Sequence, residues 1–132
     1  MYLLDTNVCI YAVKNKFPSL TSKLLLIPPS DIFISVITVG ELEYGAEKSK
    51  WGEHSRRVMQ IFLSPYTILP FIESDAQMFG QIRAILETKG TPIGSYDLQI
   101  ASQALVRNLT VVTHNVKEFS RITKLNVEDW TA

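Results

Sequence analysis

The sequence predicts an α/β domain built on a small parallel sheet with helices on both faces. Two observations carry this reading. Short apolar or β-branched runs (Tyr2 to Leu4, Ile32 to Ile34, Tyr66 to Leu69, Thr110 to Thr113) alternate with segments whose apolar residues recur at helical spacing, the alternation expected of parallel strands joined by crossover helices. No linker, repeat or low-complexity tract interrupts residues 1–132, so one domain with a sizeable core is expected.

In chain order, Tyr2 to Leu4 reads as a first buried strand and Asn7 to Val13 as a short helix. Ser19 to Ile27 carries Leu20, Leu24 and Ile27 on one helical face and is stopped by Pro28-Pro29. Ile32 to Ile34 is a second strand. A helix is expected to open at Thr38 and run to about Lys48, with Glu41 at capping-box spacing. His54 to Leu63 places Val58, Ile61 and Phe62 on one face, and Tyr66 to Leu69 is a third strand. Ser74-Asp75 starts a helix with Phe79, Ile82 and Leu86 as its stripe and Gly90 just past its end. Ser95 begins another, with Leu98, Ala101, Ala104 and Leu105 inward. Thr110 to Thr113 is the clearest strand, β-branched throughout. Val116 to Phe119 is a short helix, Leu125 to Val127 a final strand, and Trp130 is expected to pack the C-terminus down.

Composition narrows the function. A hydrophobic fraction of 46% with 20% charged residues argues against disorder. No apolar run reaches the roughly 20 residues that span a bilayer. The opening residues lack a basic region and meet Asp5 at once, so no secretory signal is expected and the cytoplasm is the expected location. Cys9 is the single cysteine, which excludes an internal disulfide and a thiol-rich zinc site; it is expected in the core. The net charge of +0 shows no global sign of nucleic-acid binding. Basic residues are nevertheless bunched, with Lys48, Lys50, Arg56 and Arg57 against Glu53, and Arg107, Lys117, Arg121 and Lys124 against Glu118. Such runs fit either solvated helix faces or phosphate contacts around an acidic centre.

The chemistry lies in where the acids fall. Asp5 ends the first strand, Glu41 follows the second, Asp97 lies in the first turn after Ser95, and Asn115 follows the Thr110 to Thr113 strand. Each has a purely local explanation, as a helix cap or as a charge facing a helix dipole. Their common position is the stronger argument. With right-handed crossovers, helix starts that follow parallel strands lie on one edge of the sheet, where α/β proteins bind ligands. Three carboxylates within ~4–6 Å repel one another, and a divalent cation relieves that repulsion. All-oxygen ligands select a hard ion such as Mg²⁺ or Mn²⁺, and such an ion suits hydrolysis of a phosphodiester.

Four segments then resemble one family. They are Leu4-Asp5-Thr6-Asn7, Gly40-Glu41-Leu42-Glu43-Tyr44-Gly45-Ala46, Pro92 to Ala101 around Asp97, and Val112-Thr113-His114-Asn115-Val116-Lys117-Glu118-Phe119, with Leu125 to Trp130 as a matching end. In this order and spacing they resemble the PIN-domain ribonucleases, specifically the VapC toxins of type II toxin–antitoxin modules. The resemblance implies a three-layer α/β/α sandwich around a parallel sheet of four or five strands. It implies metal-binding acids at Asp5, Glu41 and Asp97 and a fourth site position at Asn115, where the neutral amide leaves open contact with the ion, a water or the backbone. Glu118, one turn on, is an alternative carboxylate, and Thr6 and Thr113 are expected to orient the acids by hydrogen bonds. The implied activity is Mg²⁺-dependent cleavage of structured RNA, tRNA in particular and initiator tRNA within the enterobacterial group. A homodimer, a VapB-type antitoxin whose tail blocks the site, and no membrane association are also implied.

Other readings remain open at this stage. An aspartyl phosphatase would place a second acid two residues after the first, where this chain has Asn7. A Mg²⁺-binding receiver module would carry an acid pair after the first strand and a late lysine, where this chain has one acid and His114-Asn115. An inactive RNA- or partner-binding PIN domain is the third. Among the remaining residues, His114 is a candidate phosphate contact and His54 is expected in solvent. Trp51, beside Lys50, suits either base stacking or an interface.

Overall fold

β1 (Tyr2–Leu4) is the central strand of a five-stranded, all-parallel sheet ordered β3-β2-β1-β4-β5. The computed structural model describes residues 1–132. β2 (Ile32–Ser35), β3 (Thr67–Leu69), β4 (Thr110–Val112) and β5 (Val127–Glu128) complete the sheet. Leu4 lies opposite Ile34 on one side and Val112 on the other. The chain leaves β1 for β2 on one flank and later returns to β4 on the opposite flank. This reversal of strand order opens a crevice at the carboxyl ends.

Successive side chains of a strand point to opposite faces, and β1 feeds two separate cores. Leu3 packs with Val111, Ile82, Leu86, Leu98, Ala101 and Phe119. That face is covered by α5 (Glu73–Thr88), α6 (Ser95–Arg107) and α7 (Val116–Phe119). Leu4 packs with Val8, Cys9, Leu20, Ile32, Ile34 and Trp130. α1 (Thr6–Val13) and α2 (Pro18–Leu26) cover this second face. α3 (Val36–Lys48) and α4 (Gly52–Leu63) close it along one side through Val39, Leu42, Phe62 and Leu63. The result is the expected helix–sheet–helix sandwich. Cys9 is in the core, and Trp130 is buried edge-on against Tyr2 at 4.9 Å between ring centroids.

The start of α3 differs from the expectation. The helix opens at Val36, not Thr38, and Ser35 caps it by accepting the Ile37 amide at 3.0 Å. The β2 strand runs directly into the helix, so no loop remains for Thr38 to cap. Thr38 is instead fully buried inside the helix, and Glu41 is past its first turn. The final strand is also shifted, to Val127–Glu128, because Leu125 turns into the apolar core.

A second polar feature holds the far side together. Asp75 is completely buried and accepts two bonds from Arg107, at 2.6 and 3.2 Å, while also capping α5 through the Ile72 amide. Next to it, the Gln103 amide donates to Leu69 and Pro70 carbonyls. These bonds tie α5, α6 and the end of β3 into one unit. The pair was invisible to a local reading of Ser74-Asp75 as a helix start, because its partner lies 32 residues away.

Candidate metal centre

Asp5 is the first residue past β1, and the register sets its surroundings. Its amide donates to the Val112 carbonyl at 3.0 Å, which carries the ladder one step beyond the strands and puts Thr113 alongside. The Thr113 hydroxyl donates to Asp5 Oδ2 at 2.5 Å, and the Val8 amide, in the first turn of α1, donates to Oδ1 at 2.8 Å. Asp5 is therefore a helix cap and a member of the site at once. Only 3% of it is exposed. Burial pushes its carboxyl up from 3.8 to about 6; the two hydrogen bonds oppose the rise, and the charges of Glu41 and Glu118 add to it.

Glu41 reaches the same crevice from α3. Thr38 and Glu41 are three residues apart and share a helix face. The Thr6 hydroxyl donates to Glu41 Oε1 at 2.6 Å and lies 3.0 Å from the Thr38 hydroxyl. Thr6 thus orients Glu41, and Thr113 orients Asp5. Thr38, read from the sequence as a cap, is a buried hydroxyl partner in this network. A β-branched hydroxyl residue three positions before an acid inside a helix was the only sequence signal for that role.

Asp97 enters from the first turn of α6. Its carboxyl is pushed from 3.8 to about 7, by burial first, then by the charges of Glu118, Asp5 and Glu41, and by a hydrogen bond with Glu118. Such a bond between two carboxyls requires a proton on one of them. Glu118, in α7, also accepts from the Gly94 amide at 3.2 Å and from the Asn115 side-chain amide. Asn115 is at the start of α7, and its backbone amide donates to Thr113 Oγ1 at 2.9 Å. Its side chain thus engages Glu118, which joins the two residues at the same edge of the cluster.

The structure brings Asp5, Glu41, Asp97 and Glu118 together at one edge, with Asn115, Thr6, Thr113 and Thr38 between them. None of the four acids has a Lys, Arg or His partner. No three of them already converge on a common coordination point. The donor set fits a hard divalent ion: it is all oxygen, it concentrates negative charge, and burial among other carboxylates makes two of its carboxyls resist ionisation. Cys9 lies beneath the site, but burial and the Asp5 charge raise its thiol, so it offers no thiolate.

Several expected contacts fall elsewhere. His114 Nδ1 pairs with Thr131 Oγ1 at 2.7 Å and its ring packs against Tyr11 and Phe17, so it fastens the C-terminal segment rather than facing the acids. Arg56 is held by Glu43 and Glu47, and Arg107 by Asp75, so the charge of both is balanced within the chain. Trp51 is 68% exposed at the turn between α3 and α4, with Lys50 Nζ 5.7 Å from its ring. Beside it, an apolar groove of about 470 Å³ between α1, α3 and α4 runs up to Glu41. No helix is long and apolar enough to cross a membrane.

Comparison with known proteins follows the same lines. The PIN domain family model matches residues 2–125. The chain is 44% identical over 131 residues to Ribonuclease VapC2 of Rickettsia felis, with 98% of each protein covered. It is 45% identical over 129 residues to the tRNA(fMet)-specific endonuclease VapC of Salmonella typhimurium, covering 98% of this chain and 97% of that one. The crystal structure of DNA-bound VapBC from Salmonella typhimurium superposes with a TM-score of 0.92 at 44% identity, covering 98% of this chain and 97% of its counterpart.

Proposed function

This chain belongs to the PIN-domain family, among the VapC ribonucleases, and from that premise we propose that it is the endoribonuclease toxin of a toxin–antitoxin module. The observation that carries the reading is the meeting of Asp5, Glu41, Asp97 and Glu118 with no cationic partner, and with Asp5 and Asp97 both held above the usual carboxylate range. Asp5, Glu41 and Asp97 are assigned as ligands of a divalent cation, Mg²⁺ with Mn²⁺ as substitute. Asn115 and Glu118 complete the wall of the site, and Thr6 and Thr113 hold the ligands in place. When bound, the cation supplies charge stabilisation at the phosphoryl oxygen and acidifies a water for attack.

The residues of the chain do the rest. The Thr113 and Val8 bonds fix both oxygens of Asp5. Thr6 leaves Glu41 Oε2 free to turn into the crevice while holding Oε1. Burial and the neighbouring carboxylates hold the Asp97 carboxyl up to about 7, so ion binding there is coupled to proton release.

The substrate is assigned as structured RNA, and tRNA in particular, with initiator tRNA suggested by the tRNA(fMet)-specific relative. A VapB-type antitoxin is the expected partner, supported by the VapBC complex among the structural relatives. Its tail is assigned to the apolar groove that ends at Glu41. The exposed apolar side chains Val36, Tyr44 and Tyr96 around a second hollow beside Glu41 support a homodimer. The cytoplasm is the expected location.

The test is cleavage of RNA by purified protein with Mg²⁺ or Mn²⁺, its loss in excess EDTA, and its loss in Asp5→Ala and Asp97→Ala. Glu41→Gln keeps the hydrogen bond from Thr6 but loses the charge, so a ligand role predicts loss of cleavage in a folded protein. Full activity in EDTA would refute the assignment. Sequencing RNA ends after brief induction identifies the target.

A further inference from the structure

A second groove, of about 510 Å³, lies on the α5 flank of the molecule and is not used by the site as described. Its floor includes Ile82, Ile85 and Leu105, and its rim carries Lys89, Arg121 and Lys124. No acidic residue lines it. The three cations are exposed, and none of them has a carboxylate partner. Three unpaired cations around one groove with no acid in its lining make the rim a local excess of positive charge in a chain of net charge +0.

The groove is tied to the acidic centre by two hydrogen bonds. Arg121 Nη1 donates to the Pro92 carbonyl at 2.7 Å, and two residues on, the Gly94 amide donates to Glu118. α7 and the segment Pro92–Gly94 are thus one joined structure, with carboxylates at one end and the cationic rim at the other.

We infer that the groove rimmed by Lys89, Arg121 and Lys124 is a docking tract for RNA, holding backbone phosphates that flank the scissile bond while its apolar floor takes a base. The volume is within the range of ~300–1,000 Å³ usual for ligand sites, and a mixed floor of apolar and amide groups (Gln81, Asn108) suits a nucleobase. An acidic peptide is the competing occupant. RNA is favoured because the rim is continuous with a centre assigned to cut phosphodiesters. The inference rests on the nuclease reading.

The test uses Lys89→Ser combined with Lys124→Ser, which spares Arg121 and its bond to Pro92. Lys16→Ser combined with Lys23→Ser removes equal charge elsewhere as the control. Affinity for bulk tRNA is measured in EDTA across salt concentrations, and kcat and KM are then measured with Mg²⁺. Each phosphate contact on a single strand contributes about 0.7 to the salt slope, so the groove variant is expected to lower the slope by about 1.4 and weaken binding about tenfold at physiological salt. KM rises accordingly, with kcat and Tm unchanged, while the control pair shows little effect. Equal slopes and KM values for both pairs would overturn the inference. So would loss of poly-glutamate binding with RNA binding intact, which would make the groove a peptide surface. Wild-type protein that neither binds nor cuts RNA would instead bring down the nuclease reading, and this inference with it.

Discussion

Replacing Asp97 by Asn should stabilise the ion-free protein while destroying its response to divalent cations. The Asp97 carboxyl is raised from 3.8 to about 7, by burial and by Glu118, Asp5 and Glu41. At about 1.36 kcal/mol for each tenfold change in acidity, that rise corresponds to an upper bound of about 4 kcal/mol. Asp97 keeps part of its surface in water, and solvent screening reduces the effect to about 1–2 kcal/mol. The sign follows from linkage. An acid whose folded pKa lies above its unfolded value adds stability below the unfolded pKa, and that stability is lost as pH rises through the folded pKa. The wild-type fold is thus expected to weaken between about pH 4 and pH 7 through this group. Asparagine has no proton to lose, so Asp97→Asn should match wild type near pH 4 and exceed it at pH 8. At roughly 4 °C per kcal/mol for a chain of this size, Tm in EDTA should rise by about 4–8 °C at pH 8. Saturating Mg²⁺ or Mn²⁺ should reverse the order, since an ion at a hundred times its Kd stabilises wild type by about 2.7 kcal/mol. A variant that melts at or below wild type at pH 8 in EDTA would show that Asp97 carries no electrostatic strain, and the argument for a cation built on that strain would fail.

Thr113→Val removes the hydroxyl that donates to Asp5 and accepts from the Asn115 amide. It should lower cation affinity or cleavage about 10–100-fold with the fold intact, measured by calorimetric titration; unchanged affinity would mean the hydroxyl only fills space. Arg107→Ala leaves the buried Asp75 without its partner. A loss of about 3–5 kcal/mol is expected from urea unfolding, and a loss below about 1 kcal/mol would show that the α5–α6 pair contributes little. Thr38→Val takes a hydroxyl from the Thr6 pair without touching an acid. The network role predicts weakened cation binding, whereas the capping role expected from the sequence predicts a shorter α3 by circular dichroism.

Much of this protein can be read locally. Strand and helix identities follow from period and composition, so Thr110 to Val112 and the stripe Ile82–Leu86 appear where the pattern puts them. Asp5, Glu41, Asp97 and Asn115 were legible for a related reason: each follows a strand or opens a helix, and parallel topology with one crossover hand sends those points to the same edge. The errors arose where a local rule competed with a tertiary contact. Thr38 has capping chemistry, yet β2 runs straight into α3 and leaves it inside the helix, facing Thr6. The packing of the His114 ring against Thr131, Tyr11 and Phe17 was equally hidden from a local reading, because these partners are distant in sequence.

The amino-acid order by itself determined the element types, the sandwich, and which oxygens arrive at the carboxyl edge, because periodicity and chain direction are properties of short stretches. Tertiary structure alone decided the pairings: Thr113 with Asp5, Thr6 with Glu41, Glu118 with Asp97, and Arg107 with Asp75. Hydrogen bonds and charge repulsion act over a few ångströms of space. The residues they couple here lie up to 108 positions apart, a distance that no local pattern spans.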